Sequence, residues 1–247
     1  MGTTAVPAEI SEPPKSVGAR LVGVFFSPGE TFADIARKPD FIMPLILLVA
    51  GSIGVTETML AKIGIERIVR QQLEHSGRTS NMSPDQMQQA VEQGARIGGV
   101  IAHISGVLVL PIILVIIAAV GMLIMSAVFG SPVSFKTAFS ITSYASIVSL
   151  LGSLMAIALI FFGDPEHFNP QSPMPTNPGF FLDPGSTSKP LLAVAGSLDI
   201  FSFWTLALLG IGFSAASAKK AKTASVFLAF FALWAVIVLI KVGIAAL

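Results

Sequence analysis

Four ionisable side chains lie inside long apolar segments of this sequence or close to their ends. They are Glu57, His103, Asp199 and Lys241. Ionisable groups inside apolar spans are costly to bury, and where they occur they commonly bind a proton, an ion or a polar headgroup. These four residues are therefore the candidates for an intramembrane polar site.

Two interpretations of the four residues are open. In the first, they form a polar chamber at one depth, with Asp199 paired to Lys241. In the second, they lie within snorkelling reach of the interface and only mark the ends of helices. The second is the commoner behaviour and is favoured, and Asp199 is the strongest individual candidate because its short side chain snorkels poorly.

Signatures of catalysis are missing from the sequence. It has no HExxH zinc motif, no P-loop, no GxSxG nucleophile elbow and no cysteine. His103 and Ser105 are two residues apart, which on a helix separates them by about 200° and prevents pairing. We therefore expect no catalytic residue, no cofactor and no metal site, and we do not expect an enzyme.

The composition predicts the elements that must position these groups. Hydrophobic residues make up 53% of the 247 residues and charged residues only 12%, against about 25% charged in soluble domains. Five stretches without Asp, Glu, Lys or Arg cover nearly half of the chain: 41–56, 97–135, 137–163, 200–218 and 223–240. This pattern excludes a soluble enzyme, a disordered protein and a disulfide scaffold. It predicts an all-α polytopic membrane protein.

We predict five transmembrane helices, because each needs about 20 apolar residues. Their approximate ranges are 41–60, 98–127, 139–162, 193–213 and 224–246. The stretch 97–135 is too short for two spans with a turn, so five spans are favoured over six. Residues 1–40 form a cytosolic segment with an interfacial helix, and residues 41–247 form the five-span domain.

Lysine and arginine counts in short loops predict the orientation. The loop 214–223 carries three lysines and no acid, whereas the loop 163–190 carries one lysine and three acids. Together with Arg37 and Lys38 before the first span, these loops place the N-terminus inside. The longer loop 61–97 carries five basic residues and four acids and is given less weight. We also expect no secretory signal in the first 40 residues.

The loop 163–190 contains seven of the sixteen prolines, so regular structure is not expected there. An exposed connector is the favoured interpretation. The alternative is a lid held over the outer end of the bundle by Phe168, Phe180 and Phe181.

Three segments resemble bacterial Yip-domain proteins. They are SPGETFADIARKP at 27–39, FGSPVSFKTAFSITSYAS at 129–146 and SLDIFSFWTLALLGIGFSAAS at 197–217. The last contains Trp204, Gly210 and Gly212 in the family pattern. The resemblance covers about residues 20–246 and implies a five-helix Yip-like bundle with a cytosolic N-terminus. Eukaryotic members bind Rab-type GTPases, a role that is not carried over because their DLYGP-type motif is missing here.

The expected function is that of a membrane scaffold or adaptor in the inner membrane. Its expected partners are membrane lipids and, as further candidates, another membrane protein or a second copy in a homo-oligomer, but not nucleic acid, because the charge is nearly balanced (15 Lys and Arg against 14 Asp and Glu). The alternative is a small transporter or lipid-handling protein that uses the outer polar chamber.

Overall fold

The computed structural model describes residues 13–75, 82–163, 175–183, 185–218 and 220–246, and these residues contain helices but no strand. The helices are α1 (Val17–Phe26), α2 (Pro28–Arg37), α3 (Ile42–Lys62), α4 (Ile65–His75), α5 (Pro84–Ala127), α6 (Phe135–Ala145), α7 (Ser149–Phe162), α8 (Lys189–Ser197), α9 (Ile200–Ala216) and α10 (Thr223–Ala245). Short 3-10 helices lie at Ser146–Val148 and Pro178–Phe181. The predicted all-α class is confirmed.

Four helical segments are long and apolar enough to cross a bilayer: α3, α5, the α6–α7 segment (Phe135–Phe162) and α10. A fifth crossing is formed if α8 and α9, which meet at an angle of 49°, count as one broken span. Each of these segments overlaps one of the predicted spans. The chain is therefore a multi-pass membrane protein.

Helix α5 is much longer than a membrane crossing. Its 44 residues correspond to about 66 Å, roughly twice the thickness of a hydrocarbon core. It begins with a capping box, in which the Ser83 side chain accepts from the Gln86 backbone N–H and the Gln86 side chain accepts from the Ser83 N–H. It continues without interruption through Pro111. Its N-terminal part therefore extends outside the bilayer, where it packs against α4.

Helix α9 lies at the centre of the packing and contacts α2, α6 and α10. Two glycines allow these close approaches. A Cβ atom at Gly210 would lie 2.9 Å from the Phe227 Cβ of α10, and one at Gly212 would overlap the Ile141 Cγ2 of α6. Trp204 contacts the ring of Phe25 edge-on, with centroids 5.8 Å apart. The motif residues Trp204, Gly210 and Gly212 thus act in packing.

The N-terminal helices α1 and α2 pack against the bundle. Phe32 and Ile35 of α2 have no exposed surface, and α2 contacts both α6 and α9. The predicted interfacial helix therefore buries its apolar face against protein. Residues 1–12 of the predicted N-terminal segment lie outside the described residues.

Arg20 joins α1 to α2 and to the start of α3. Only 1% of its surface is exposed. Its Nε donates to Asp34 Oδ2 at 2.8 Å, and one Nη donates to the Asp40 carboxylate and to the Lys38 carbonyl. Asp40 also accepts a hydrogen bond of 2.7 Å from the Tyr144 hydroxyl of α6. The network therefore fastens the N-terminal helices to the bundle.

The charge on Arg20 is maintained by its partners. Burial alone would lower the pKa of Arg20, but the hydrogen bond from its guanidinium to Asp34 and the negative charges of Asp40 and Asp34 outweigh burial and raise the pKa. The guanidinium therefore stays charged at every accessible pH.

We predict that Gly210→Ala lowers the stability of the α9–α10 contact. The new methyl group would press on the Phe227 backbone, whose Cα lies 3.1 Å from it, and overpacking of this kind costs about 1–3 kcal/mol. The measurement is thermal unfolding of the purified protein in detergent. Gly243→Ala is the matched control, because a Cβ there meets nothing within 4 Å. Equal melting temperatures for the two variants would contradict the prediction.

We predict that Arg20→Met destabilises the fold by about 3–5 kcal/mol, because it removes the buried guanidinium that binds Asp34 Oδ2 and the Asp40 carboxylate. The measurement is again the melting temperature in detergent. The control is Glu30→Gln, which removes the exposed Lys15–Glu30 pair of 3.1 Å and should cost less than about 1 kcal/mol. If Arg20→Met lowered the melting temperature no more than Glu30→Gln, the buried network would not be the contact that holds α1 in place.

Candidate functional site

Glu57 and His103 lie together, one near the end of α3 and the other in α5. The His103 Nε2 and Glu57 Oε1 atoms are 3.1 Å apart, and both side chains are about half exposed. The second ring nitrogen, Nδ1, lies 2.6 Å from the Gly99 carbonyl oxygen. This pair links α3 to α5.

Asp199 lies at the break between α8 and α9. Its Oδ1 accepts from the N–H groups of Phe201 and Ser202, at 2.9 and 3.1 Å, and so caps α9. Its Oδ2 accepts from the Thr176 hydroxyl, and the Thr176 carbonyl accepts from the N–H of Ile200 at 3.2 Å. Asp199 therefore closes the helix end and fastens residues 175–183 to it.

Lys241 lies in the last turns of α10, opposite the end of α8. Its Nζ donates to the Ser197 Oγ at 3.0 Å, and that hydroxyl donates to the Ala193 carbonyl at 2.7 Å. The hypothesised ion pair between Asp199 and Lys241 does not form. Among the described residues, no hydrogen bond or ion pair joins these two residues to Glu57 or His103.

Residues 175–183 are partly buried, because some of them pack against α8 and the start of α9. Asn177 is only 7% exposed, and a Cβ at Gly179 would lie 2.9 Å from the Gly196 nitrogen of α8. The contact is made by Thr176, Asn177 and Gly179, whereas the Phe181 side chain is 73% exposed. Phe168, the third aromatic of the lid interpretation, lies outside the described residues. The structure thus adds Thr176, Asn177 and Gly179 as loop residues that contact the bundle, which the sequence did not single out.

A groove of about 620 Å³ lies between α5, α9 and α10 beside Asp199. This volume is in the range that ligand pockets in proteins occupy, about 300–1,000 Å³. Its walls are mostly apolar side chains from the three helices, including Ile117, Leu206, Trp234 and Ile237. Its polar lining comes from Ser149, Asn177, Asp199, Ser202 and Thr205.

Asp199, which the sequence singled out as a candidate, lines the groove, but sequence reasoning missed the groove itself and its loop residues. One signal was available in α10, where Phe230, Leu233, Trp234 and Ile237 recur at three- and four-residue spacing and are followed by Lys241. The spacing was hidden because α10 is apolar on all sides, so that no face stands out. In the described part of the chain, no group of three or more His, Asp or Glu side chains could hold a metal ion.

We predict that Asp199→Ala loses about 0.5–2 kcal/mol of stability, because two N–H groups of α9 lose their acceptor. Asp199→Asn should keep most of this stability, since an amide oxygen can also cap a helix. The measurement is thermal unfolding in detergent of both variants beside the unchanged protein. The cap would be unimportant if the alanine variant melted at the same temperature as the asparagine variant.

Comparison with known proteins places these features in a family. Residues 22–242 match the Yip1 domain, and this range contains the three segments that resemble Yip-domain proteins. Neither a curated protein nor a solved structure matches the chain. The match covers most of the sequence, including α3, α5 to α9, nearly all of α10 and the groove between α5, α9 and α10. This multi-pass membrane protein therefore belongs to the Yip1 domain family.

Proposed function

We propose that the protein is a non-enzymatic membrane scaffold that engages lipid through the groove between α5, α9 and α10. In this proposal it resides in the inner membrane with its N-terminus inside. The groove is the observation that carries the proposal. It is lined by residues of membrane-crossing helices, so that a lipid can enter it from the bilayer without leaving the hydrocarbon.

The distribution of polar groups supports engagement of lipid over passage of an ion. Three of the five polar side chains, Asn177, Asp199 and Ser202, line the groove at or close to the α8–α9 break, whereas its walls along α5 and α10 are isoleucine, valine, leucine and aromatic residues. An ion pathway needs polar groups through the whole bilayer, because an unsolvated charge in hydrocarbon is costly. An acyl chain needs an apolar wall, as found here.

The contacts of the candidate residues support the same proposal. Asp199 uses both carboxylate oxygens to cap α9 and to hold Thr176. Such a carboxylate is committed to the fold and would have to give up hydrogen bonds to carry a proton or an ion. Asp199 therefore serves the structure first, which suits a scaffold.

The experiment has three readouts. Ion flux and lipid scrambling are measured after the purified protein is reconstituted in liposomes, and bound phospholipid is measured on the protein in mild detergent. We expect the rates of proton flux, ion flux and lipid scrambling to equal those of protein-free liposomes. A scaffold does not need a continuous polar route across the bilayer, and flux and scrambling do. We expect phospholipid to remain with the protein through purification in mild detergent, because the groove holds it.

The matched control is Asp199→Asn, which keeps the cap of α9. Flux in the unchanged protein that disappears in Asp199→Asn would replace the scaffold with the small transporter. Scrambling that survives in that variant would favour a lipid-handling protein. Complete loss of lipid in mild detergent would contradict engagement of lipid.

A further inference from the structure

The face of α10 that lines the groove continues to a lysine. Phe230, Trp234, Ile237 and Lys241 follow one another at intervals of four and three residues, which places them on one side of the helix. The first three line the groove. Lys241 is the next residue on that face, about one turn beyond Ile237. The ammonium group therefore lies at the end of the apolar surface.

The position of Lys241 along α10 matches the depth of lipid headgroups. It is 18 residues from Thr223, where the helix begins, which corresponds to about 27 Å at 1.5 Å per residue. The hydrocarbon core of a bilayer is about 30 Å thick. A helix that starts at one surface thus brings Lys241 to the opposite boundary, where phosphate groups lie.

The surface of α10 that runs from the groove to Lys241 matches the depth of one leaflet. From Phe230 to Lys241 there are eleven residues, about 17 Å along the helix, whereas half of the hydrocarbon core is about 15 Å. A transmembrane helix of a partner would need a surface about twice as long. The dimension therefore favours a lipid of a single leaflet as the occupant.

The ammonium of Lys241 is oriented and has donors to offer. A lysine ammonium has three N–H donors, and one of them is directed to the Ser197 hydroxyl at 3.0 Å. Ser197 is held in turn by its bond to the Ala193 carbonyl. No carboxylate in the part of the chain that the structure describes forms an ion pair with Lys241. A phosphate group would complement this charge.

We propose that the groove is a phospholipid site, in which one acyl chain lies against α5, α9 and α10 and the lipid phosphate binds Lys241. The inference rests on the proposed function and names its ligand. With the N-terminus inside, the lipid belongs to the outer leaflet. Ser197 acts as the positioning residue for the ammonium.

The experiment is native mass spectrometry of the full chain in mild detergent with added lipids of identical acyl chains. The lipids are phosphatidylglycerol and phosphatidylethanolamine, which carry a phosphate group, and diacylglycerol, which does not. We expect both phospholipids to be retained at least about tenfold better than diacylglycerol, because a charge-assisted bond to phosphate is lost without it. Equal retention of the three lipids would contradict the proposal that the phosphate group is recognised. This test uses the unchanged protein alone.

Four variants identify the residues. Lys241→Met should reduce phospholipid retention to the level of diacylglycerol, and Lys241→Arg should restore it, since arginine also binds phosphate. Lys222→Met, at the opposite end of α10, is the matched control and should retain phospholipid. Ile237→Trp should fill the groove and displace all three lipids. Undiminished retention in Lys241→Met, or an equal loss in the Lys222→Met control, would contradict the proposal.

The outcomes separate this inference from the proposed function. Loss of all lipids in Ile237→Trp, with no effect of Lys241→Met, would keep lipid engagement and reject the phosphate site. No retention of any lipid by the unchanged protein would reject both. A photocrosslinking residue in place of Ile237 should react with lipid in native membranes. A crosslink to a second copy or to another protein would instead show that a protein occupies the groove.

Discussion

A charged side chain in a membrane protein must find partners inside the fold or reach the interface, because hydrocarbon supplies no compensation for it. Arg20 follows the first course: its guanidinium is almost fully buried and binds two carboxylates and a backbone carbonyl. Lys241 instead reaches the interface, because it lies at the end of a crossing helix. The position of the N-terminal helices and the proposed lipid site both follow from this constraint.

The Arg20 network has a consequence for the architecture. Helices α1 and α2 have ten residues each, about 15 Å, which is too short to cross a bilayer. They are held by Asp34, Asp40 and Tyr144 and by the burial of Phe32 and Ile35 between α6 and α9. Residues 13–40, which precede the first span, are therefore part of the folded bundle.

Close contact between helices depends on small residues where two backbones meet. Gly210 and Gly212 let α10, α6 and α2 approach α9, so that the core forms around one helix. In lipid, such packing replaces the hydrophobic effect as the force between helices. The groove lies on the same helix, where α9, α10 and α5 diverge beside the α8–α9 break. The site therefore depends on the break between α8 and α9 and on the packing of α9 against its neighbours.

The sequence by itself determined the class, the approximate spans and the family resemblance, because long uncharged stretches and short motifs are local properties. It also singled out Asp199, since a carboxylate beside an apolar stretch is conspicuous. Only the tertiary structure decided that Asp199 bonds Thr176 and Lys241 bonds Ser197, that Arg20 is buried against Asp34 and Asp40, and that three helices leave a groove. These contacts join residues far apart in the chain, and on an apolar helix such as α10 no periodicity marks the face that will be used.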